Sequence, residues 1–310
     1  MKKIFIDGAV GTTGLKIYQR IKDREDLELL GLPEELRKDN NARKEMLNKA
    51  DVVILCLPDV AAKEAVSMIE NENTIVIDAS TAHRCNDDFT YGFPEISSKI
   101  EEELSKAKRI AVPGCHASGV VALVYPLIEA GILTKEAMLT VTSITGYSGG
   151  GKSMIEEYEA KDRKDLLSGP RQYALTQTHK HLPEIKKLTG LVNSPIFMPI
   201  VADFYSGMEV SIPVFKAQLQ PGFDVNDIKA IYKDKYQNNF VRYNECGDES
   251  GFLSAVKLAN KDNMEISVHG QEERIVLVAR YDNLGKGASG AAIECLNYVL
   301  GINKEEGLYL

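Results

Sequence analysis

Cys115 stands in Val112-Pro113-Gly114-Cys115-His116-Ala117-Ser118-Gly119, and the apolar run Val120-Val121-Ala122-Leu123-Val124-Tyr125 follows at once. Pro113 and Gly114 break a preceding strand and the run reads as a buried helix, so Cys115 falls at a helix N-terminus. Backbone N–H groups and the positive end of the macrodipole favour a thiolate there, the form of cysteine that acts as a nucleophile. A small buried hydrophobe is the alternative reading, and the local pattern does not decide between them. A thiolate that forms a covalent intermediate needs a proton-transfer partner, and histidine titrates in the useful range. His179 and His181 lie in Thr178-His179-Lys180-His181-Leu182-Pro183-Glu184-Ile185. Pro183 and Glu184 look like the first turn of a helix. An extended lead-in with i, i+2 spacing would put both rings on one side, and either ring suits the acid/base role. A metal pair at that spacing finds no third ligand cluster, so no metal is expected. His116 is expected to point away from the sulfur, and His269, inside a strand, reads as structural.

The elements that must position these groups begin with a dinucleotide-binding pattern. Strand-like Lys2 to Ile6 runs into Asp7-Gly8-Ala9-Val10-Gly11-Thr12-Thr13-Gly14, then into the helical spacing of Leu15, Ile17, Tyr18 and Ile21. Glycines between the first strand and first helix let backbone N–H groups approach a pyrophosphate, so Gly8, Gly11, Thr12, Thr13 and Gly14 are cofactor candidates. The spacing is GxxGxxG, not the commoner GxGxxG. A second strand, Leu27 to Leu32, leads to Pro33-Glu34-Glu35-Leu36-Arg37-Lys38. Arg37 and Lys38 together suit a 2′-phosphate, which favours NADP over NAD, against the alternative of a solvated charged turn.

Asp51 to Leu57 and Thr74 to Asp78 are continuous apolar runs of the kind found in parallel strands buried on both faces. With the helical Ala61 to Ile69 between them, they predict a doubly wound parallel sheet whose ligand crevice lies at the strands' carboxyl ends. Pro58 and Ser80 fall there and are further cofactor candidates. After Cys115 the texture changes. Leu139 to Thr145 alternates as a half-buried strand, then breaks at Gly146-Tyr147-Ser148-Gly149-Gly150-Gly151-Lys152, which reads as a mobile active-site loop. Strands are expected at Phe197 to Ala202, Met208 to Phe215, Ala255 to Ala259, Glu265 to His269 and Arg274 to Tyr281. The last three are expected as an antiparallel meander in a mixed sheet. Of the arginines able to clamp a carboxylate or phosphate, Arg84, Arg109, Arg163 and Arg171, the first and last lie in loops beside other candidates.

The net charge of −8 argues against a nucleic-acid or anionic-membrane surface. Five scattered cysteines without CxxC pairs indicate neither a disulfide framework nor a zinc site and suit a reducing cytoplasm. No signal-peptide layout opens the sequence, and no apolar run is long enough to span a bilayer.

Taken together, these motifs resemble the short-form (type 2) N-acetyl-γ-glutamyl-phosphate reductases of arginine biosynthesis. The matching stretches are Gly8 to Gly14, Asp78 to Arg84, Gly92 to Glu95, Val112 to Gly119, Gly146 to Lys152, His179 to Glu184, Asp203 to Met208 and Asp282 to Gly290, in family order across nearly the whole chain. The resemblance implies a Rossmann-type NADP domain, residues 1–113 with 285–310, and an inserted α+β catalytic and dimerisation domain, residues 114–284, like that of glyceraldehyde-3-phosphate dehydrogenase. It implies that Cys115 is the nucleophile, that His179 or His181 is the acid/base, and that Asn283 lies near the nicotinamide of NADPH/NADP. Arg84, Ser118 and Arg171 are the expected substrate contacts, the substrate a small acyl phosphate, and the protein a homo-oligomer, dimer or tetramer. Two rivals remain at this level: the same chemistry on an aspartyl or aminoadipyl phosphate, and a non-catalytic NADP-binding redox sensor using Cys115.

Overall fold

A computed structural model describes residues 1–310. The chain divides into two compact units, Met1–Pro113 with Ala288–Leu308, and Gly114–Gly287 with Tyr309–Leu310. In chain order the first unit contains β1 (Lys2–Asp7), α1 (Thr12–Ile21), β2 (Leu27–Leu30), α2 (Asn40–Lys49), β3 (Val52–Leu55), α3 (Asp59–Ser67), β4 (Ile75–Asp78), β5 (Thr90–Tyr91), α4 (Ser98–Lys106) and β6 (Arg109–Ala111). The second contains α5 (Cys115–Glu129), β7 (Thr140–Gly146), α6 (Gly151–Glu159), β8 (Arg171–Gln172), α7 (His181–Thr189), β9 (Ile196–Ala202), β10 (Met208–Phe215), α8 (Val225–Lys235), β11 (Val241–Tyr243), β12 (Met264–Gln271) and β13 (Arg274–Tyr281). The chain then returns to the first unit as α9 (Gly290–Leu300).

The first unit is a six-stranded sheet in the order β2-β1-β3-β4-β6-β5, parallel throughout. Successive residues of a strand point to opposite faces, so Ile4 and Ile6 pack with Ile17 and Ile21 of α1 and Ile293 of α9, while Phe5 packs with Leu47 of α2 and Ala62 of α3. Helices on both faces explain why all four residues of β3 are buried and why that strand reads as an unbroken apolar run.

The second unit is a mixed seven-stranded sheet in the order β11-β12-β13-β10-β7-β9-β8. Met208, Val210, Ile212 and Val214 of β10 are buried while alternate residues are not, the pattern of a sheet with one covered face. Helix α5 is almost wholly buried despite carrying Pro126 in its interior. A proline at that position leaves the carbonyl four residues back without its helical donor. Ala122 is that residue, and the Tyr236 hydroxyl of α8 donates to its carbonyl at 2.6 Å.

Two sequence expectations fail here. Ala255 to Ala259 is a run of turns, not a strand. The Ala259 N–H donates to Val256 O and the Lys261 N–H to Leu258 O, while Asn260 takes a left-handed φ of 64°. The neighbour of β12 away from β13 is therefore the short parallel β11, and only the Glu272-Glu273 connection is a hairpin. Gly146 to Lys152 is an ordered 3-10 turn, Tyr147–Gly150, running into α6. It is held because Tyr147 and Ser148 donate their N–H groups to Phe204 O and Tyr205 O. The chain leaves the second unit after Gly287, where the Asp282 carboxylate accepts the N–H groups of Leu284 and Gly285 and its carbonyl accepts that of Gly287. Tyr309 stays with the second unit through two hydrogen bonds to Asp262.

Candidate active site

In the second unit, Cys115 is the first residue of α5, with Gly114 as an N-cap that carries no capping side chain. Ser118 closes the first helical bond, its N–H donating to Gly114 O at 2.9 Å, and its hydroxyl donates to the same carbonyl at 3.1 Å. Ser118 is buried and so braces the helix start. The Gly114 N–H donates to Glu184 Oε1 at 2.7 Å. Glu184 is fully buried in the first turn of α7, and a carboxylate at the start of α5 suits the positive end of that helix. This bond ties the start of α7, where His181 lies, to the start of α5.

A second clamp comes from β13. The Tyr281 hydroxyl donates to Cys115 O at 2.5 Å and accepts the Gly119 N–H at 3.1 Å. In an uninterrupted helix those two backbone groups would bond to each other, so the phenol is inserted into the ladder. Glycine at 119 makes the insertion possible, since a Cβ there would lie 2.7 Å from the phenol oxygen. Gly287 is equally constrained, because its Cβ would meet the Cβ of Cys115 at 3.0 Å.

Three histidines gather beside this helix start. The ring centroids of His116 and His181 are 5.5 Å apart, those of His116 and His179 5.6 Å, and those of His179 and His181 4.7 Å. The group does not form a set able to hold a metal ion. His179 and His181 do come together, but not through an extended lead-in. Lys180 is helical, and His179 Nδ1 accepts the His181 N–H at 3.2 Å, taking over one of the unpaired donors at the start of α7. Burial holds His179 at about 4, with the neighbouring Lys180 charge adding to the shift. His116 turns into the interior, where burial first and then the charges of His179 and Lys180 hold it at about 3. Its Nδ1 lies 2.7 Å from Ser143 Oγ and its Nε2 2.7 Å from the Tyr173 hydroxyl. Burial, and after it the charge of Cys115, pushes the Tyr173 phenol up.

The segment between Tyr173 and His179 is strained and fixed. Ala174 and Gln177 have φ of 53° and 57°, which non-glycine residues seldom adopt. The Gln177 side chain pays for this with paired bonds, donating to Phe197 O and accepting the Phe197 N–H, both at 2.8 Å. Asn283 is held at both ends of its amide, accepting the Gly207 N–H at 2.9 Å and donating to Ser148 Oγ at 3.0 Å. Arg171 is apart from the histidines' hydrogen bonds. Its guanidinium donates to the Tyr158 hydroxyl at 3.0 and 3.2 Å and lies over that ring.

In the first unit, Gly8, Gly11, Thr12, Thr13 and Gly14 occupy the turn from β1 to α1. Gly8 has φ +89°, and a Cβ on it would lie 2.3 Å from Cys56 O. A Cβ on Gly14 would lie 2.3 Å from Gly8 O, so backbone packs directly on backbone in this turn. Gly11 caps α1 and carries no capping side chain. Arg37 and Lys38 are exposed at the end of the 3-10 turn Glu34–Leu36. Pro58 caps α3 at the carboxyl end of β3. Ser80 is buried beyond β4, where its hydroxyl and the His83 Nδ1 both meet Asp78 Oδ2, at 2.8 and 2.6 Å. Arg84 is buried, its guanidinium donating to Val112 O and Ala79 O.

His116, Ser143, Tyr173, Glu184 and Tyr281 bond to one another or to the start of α5 and were not singled out as site residues from sequence. Glu184 left a trace there as the acidic residue of a helix first turn, and His116 as a histidine expected to point away from the sulfur.

A dinucleotide-binding sheet joined to a mixed-sheet unit with a cysteine at a helix start defines the semialdehyde dehydrogenase class of oxidoreductases. Residues 33–106 match the family described as semialdehyde dehydrogenase, NAD binding domain, and residues 115–283 match semialdehyde dehydrogenase, dimerisation domain. The fold is shared with aspartate semialdehyde dehydrogenase II of Vibrio cholerae, complexed with ASA, at a TM-score of 0.74 and 16% identity, covering 97% of this chain and 98% of that one. The Francisella tularensis aspartate semialdehyde dehydrogenase gives 0.71 and 12%, covering 97% and 100%. Within the class, the chain belongs to the N-acetyl-γ-glutamyl-phosphate reductase family. It is 43% identical to the reductase of that name from Chelativorans sp. (strain BNC1), over 96% of this chain and 98% of the relative. It is 42% identical to that from Brucella ovis, over 96% and 99%.

Proposed function

We propose that the protein reduces N-acetyl-γ-glutamyl phosphate to N-acetylglutamate 5-semialdehyde with NADPH, through a thioester on Cys115. The observation that carries this reading is the placement of Cys115 as first residue of a glycine-capped, buried helix beside the histidine cluster. The Cys115 thiolate attacks the acyl carbon, the carbon–oxygen bond to phosphate breaks, and the acyl group remains on sulfur. NADPH, when bound, supplies the hydride. A histidine then gives a proton as the carbon–sulfur bond breaks and the semialdehyde leaves. His181 is favoured over His179 for that step, because the Nδ1 of His179 is already engaged in capping α7.

Gly8, Gly11 and Gly14, with Thr12 and Thr13, are assigned to the pyrophosphate, Arg37 and Lys38 to the 2′-phosphate, and Pro58, Ser80 and Asn283 to the rest of the cofactor. Arg84 and Arg171 are assigned to the substrate's anionic groups, while Ser118 is reassigned from substrate contact to support of the helix start. A homo-oligomer, dimer or tetramer, is part of the reading, supported by the dimerisation-domain match. The cytoplasm is the proposed setting, since the chemistry needs a reduced thiol.

The test is phosphate-dependent reduction of NADP with N-acetylglutamate semialdehyde, run beside NAD and beside aspartate semialdehyde. Cys115→Ser is expected to bind NADPH yet lose turnover. Full activity in that variant, or a preference for aspartate semialdehyde, would overturn the reading. A redox sensor would instead show reversible Cys115 oxidation and no phosphate-dependent turnover.

A further inference from the structure

We infer that Asp282 is a positioning residue for the nucleophile: its carboxylate sets the turn that lays the backbone of Gly287 against Cys115. The inference rests on the thioester reading above and deepens it by naming what fixes the flank of the cysteine. Gly287 and Cys115 pack directly, because a Cβ built on Gly287 would lie 3.0 Å from Cys115 Cβ and 3.4 Å from its Cα. Cys115 is thus held twice by one stretch of chain. Tyr281 donates to its carbonyl at 2.5 Å, and Gly287, a few residues on, covers its Cβ.

A single buried side chain shapes the turn between those two contacts. Asp282 Oδ1 accepts the N–H groups of Leu284 and Gly285 at 2.6 and 2.9 Å, while Oδ2 accepts the Asn260 N–H at 2.5 Å and the Ser206 hydroxyl at 2.7 Å. Backbone N–H groups only donate, so each carboxylate oxygen is an acceptor and the direction of these three bonds is fixed. The Asp282 carbonyl accepts the Gly287 N–H at 3.0 Å, which closes the turn beside Cys115.

A carboxylate that served its own turn alone would need only the bonds to Leu284 and Gly285. The other two fix where the turn sits, since Ser206 lies between β9 and β10 and Asn260 in a turn ahead of β12. Gly285 packs on that second turn, where a Cβ would lie 2.0 Å from Lys261 O. Asn283 continues the clasp by accepting the Gly207 N–H, so residues 282 and 283 grip 206 and 207 in step. Gly287 limits where the Cys115 side chain can go, and Asp282 limits where Gly287 can go.

The experiment compares wild type, Gly287→Ala, Asp282→Asn and the double variant Asp282→Asn/Gly287→Ala. It measures kcat and KM for phosphate-dependent semialdehyde oxidation and the rate of Cys115 labelling by iodoacetamide, each per folded molecule as counted by urea unfolding. Gly287→Ala is expected to lower kcat about 100-fold, the cost of displacing a reacting group by about 1 Å. Asp282→Asn keeps one acceptor oxygen but turns an NH2 toward a backbone N–H, so it releases the turn at nearly constant volume. It should lower kcat about 10-fold, with KM little changed and with faster labelling as the flank of Cys115 is uncovered. In the double variant the released turn yields to the added methyl, so kcat should equal or exceed that of Gly287→Ala. Losses that multiply in the double variant, or wild-type kcat and labelling in Asp282→Asn, would overturn the inference. If Gly287→Ala does not fold, Asp282→Asn decides alone. Labelling needs no turnover, so a wild type without phosphate-dependent activity would end the reaction reading and still leave the hold on Cys115 decided.

Discussion

Helices α1 and α5 begin alike and are completed differently. Each has a glycine N-cap without a capping side chain, with φ −74° and ψ 166° at Gly11 and φ −75° and ψ 141° at Gly114. At α1 the surroundings are backbone: the Gly11 N–H donates to Gly8 O, and Gly8 and Gly14 close in where no Cβ fits. At α5 they are side chains, with the Glu184 carboxylate on the Gly114 N–H and the Tyr281 phenol inside the first turn. One helix start is lined by closely packed backbone, the place proposed for the cofactor's pyrophosphate. The other carries Cys115, the proposed nucleophile, and is tied to α7, the element on which His181 lies. Close backbone approach shapes the first and fixed side-chain bonds shape the second.

The largest break in this comparison is expected at Gly14. Its Cβ would lie 2.3 Å from a backbone oxygen, which cannot swing aside as a side chain can. Gly14→Ala is therefore expected to weaken NADP binding by about 100-fold, the cost of displacing a binding group by about 1 Å. Cys115 alkylation should stay at the wild-type rate. Cofactor fluorescence titration checks the first expectation and timed iodoacetamide labelling the second; equal damage to both would erase the proposed division of labour.

The second effect separates the two starts by pH. His116 is depressed to about 3 and His179 to about 4, below the ordinary histidine value, so the unfolded chain binds more protons than the folded one at mildly acid pH. Stability is therefore full above about pH 6.5 and is lost as pH falls toward those values. The slope from His116 is about 1.4 kcal/mol per pH unit, with less from His179, which is partly exposed. Urea unfolding between pH 7 and 5 should show this slope, and His116→Gln should flatten it. An unchanged slope in that variant would mean that His116 is not the source.

Glu184→Ala comes third. It leaves the Gly114 N–H buried without its acceptor, a loss of about 1–3 kcal/mol, whereas Glu184→Gln keeps an acceptor and should lose less. NADP affinity should be unaffected by either. Equal destabilisation by the two substitutions would show that the carboxylate's charge, not its oxygen, holds the helix start.

How far these contrasts could be read from sequence follows from where their causes lie. The start of α5 was legible because Pro113-Gly114 followed by an apolar run is a local signal, and β3 was legible because burial on both faces leaves no polar residue in it. Ala255 to Ala259 misled because its apolar residues suit a strand, while Asn260 N–H bonds to Asp282, distant in sequence, and bends the chain there. Tyr173 carried no signal, since its partner His116 is 57 residues away and nothing near the tyrosine marks the pairing. His116 was set aside because adjacency to Cys115 seemed to remove it from the chemistry. Its ring is fixed between the hydroxyls of Ser143 and Tyr173, at 2.7 Å from each, and both partners lie far from it in sequence.

Tyr281→Phe should have the smallest effect and is the sharpest probe of the side-chain device. The phenol oxygen stands between Cys115 O at 2.5 Å and Gly119 N at 3.1 Å, and its removal leaves the two backbone groups facing each other across the space of one atom. If the turn closes, the direct bond recovers most of what was lost. If the surrounding packing holds it open, two buried polar groups go unmet. The relaxed outcome costs about 1 kcal/mol in urea unfolding, and the same energy added to the activation barrier would lower kcat about fivefold. A closed turn also shifts the carbonyl of Cys115 and with it the sulfur, so kcat should fall while NADP affinity stays fixed. A loss of stability with unchanged kcat would assign Tyr281 to the fold alone and leave Glu184 as the side chain that registers the nucleophile.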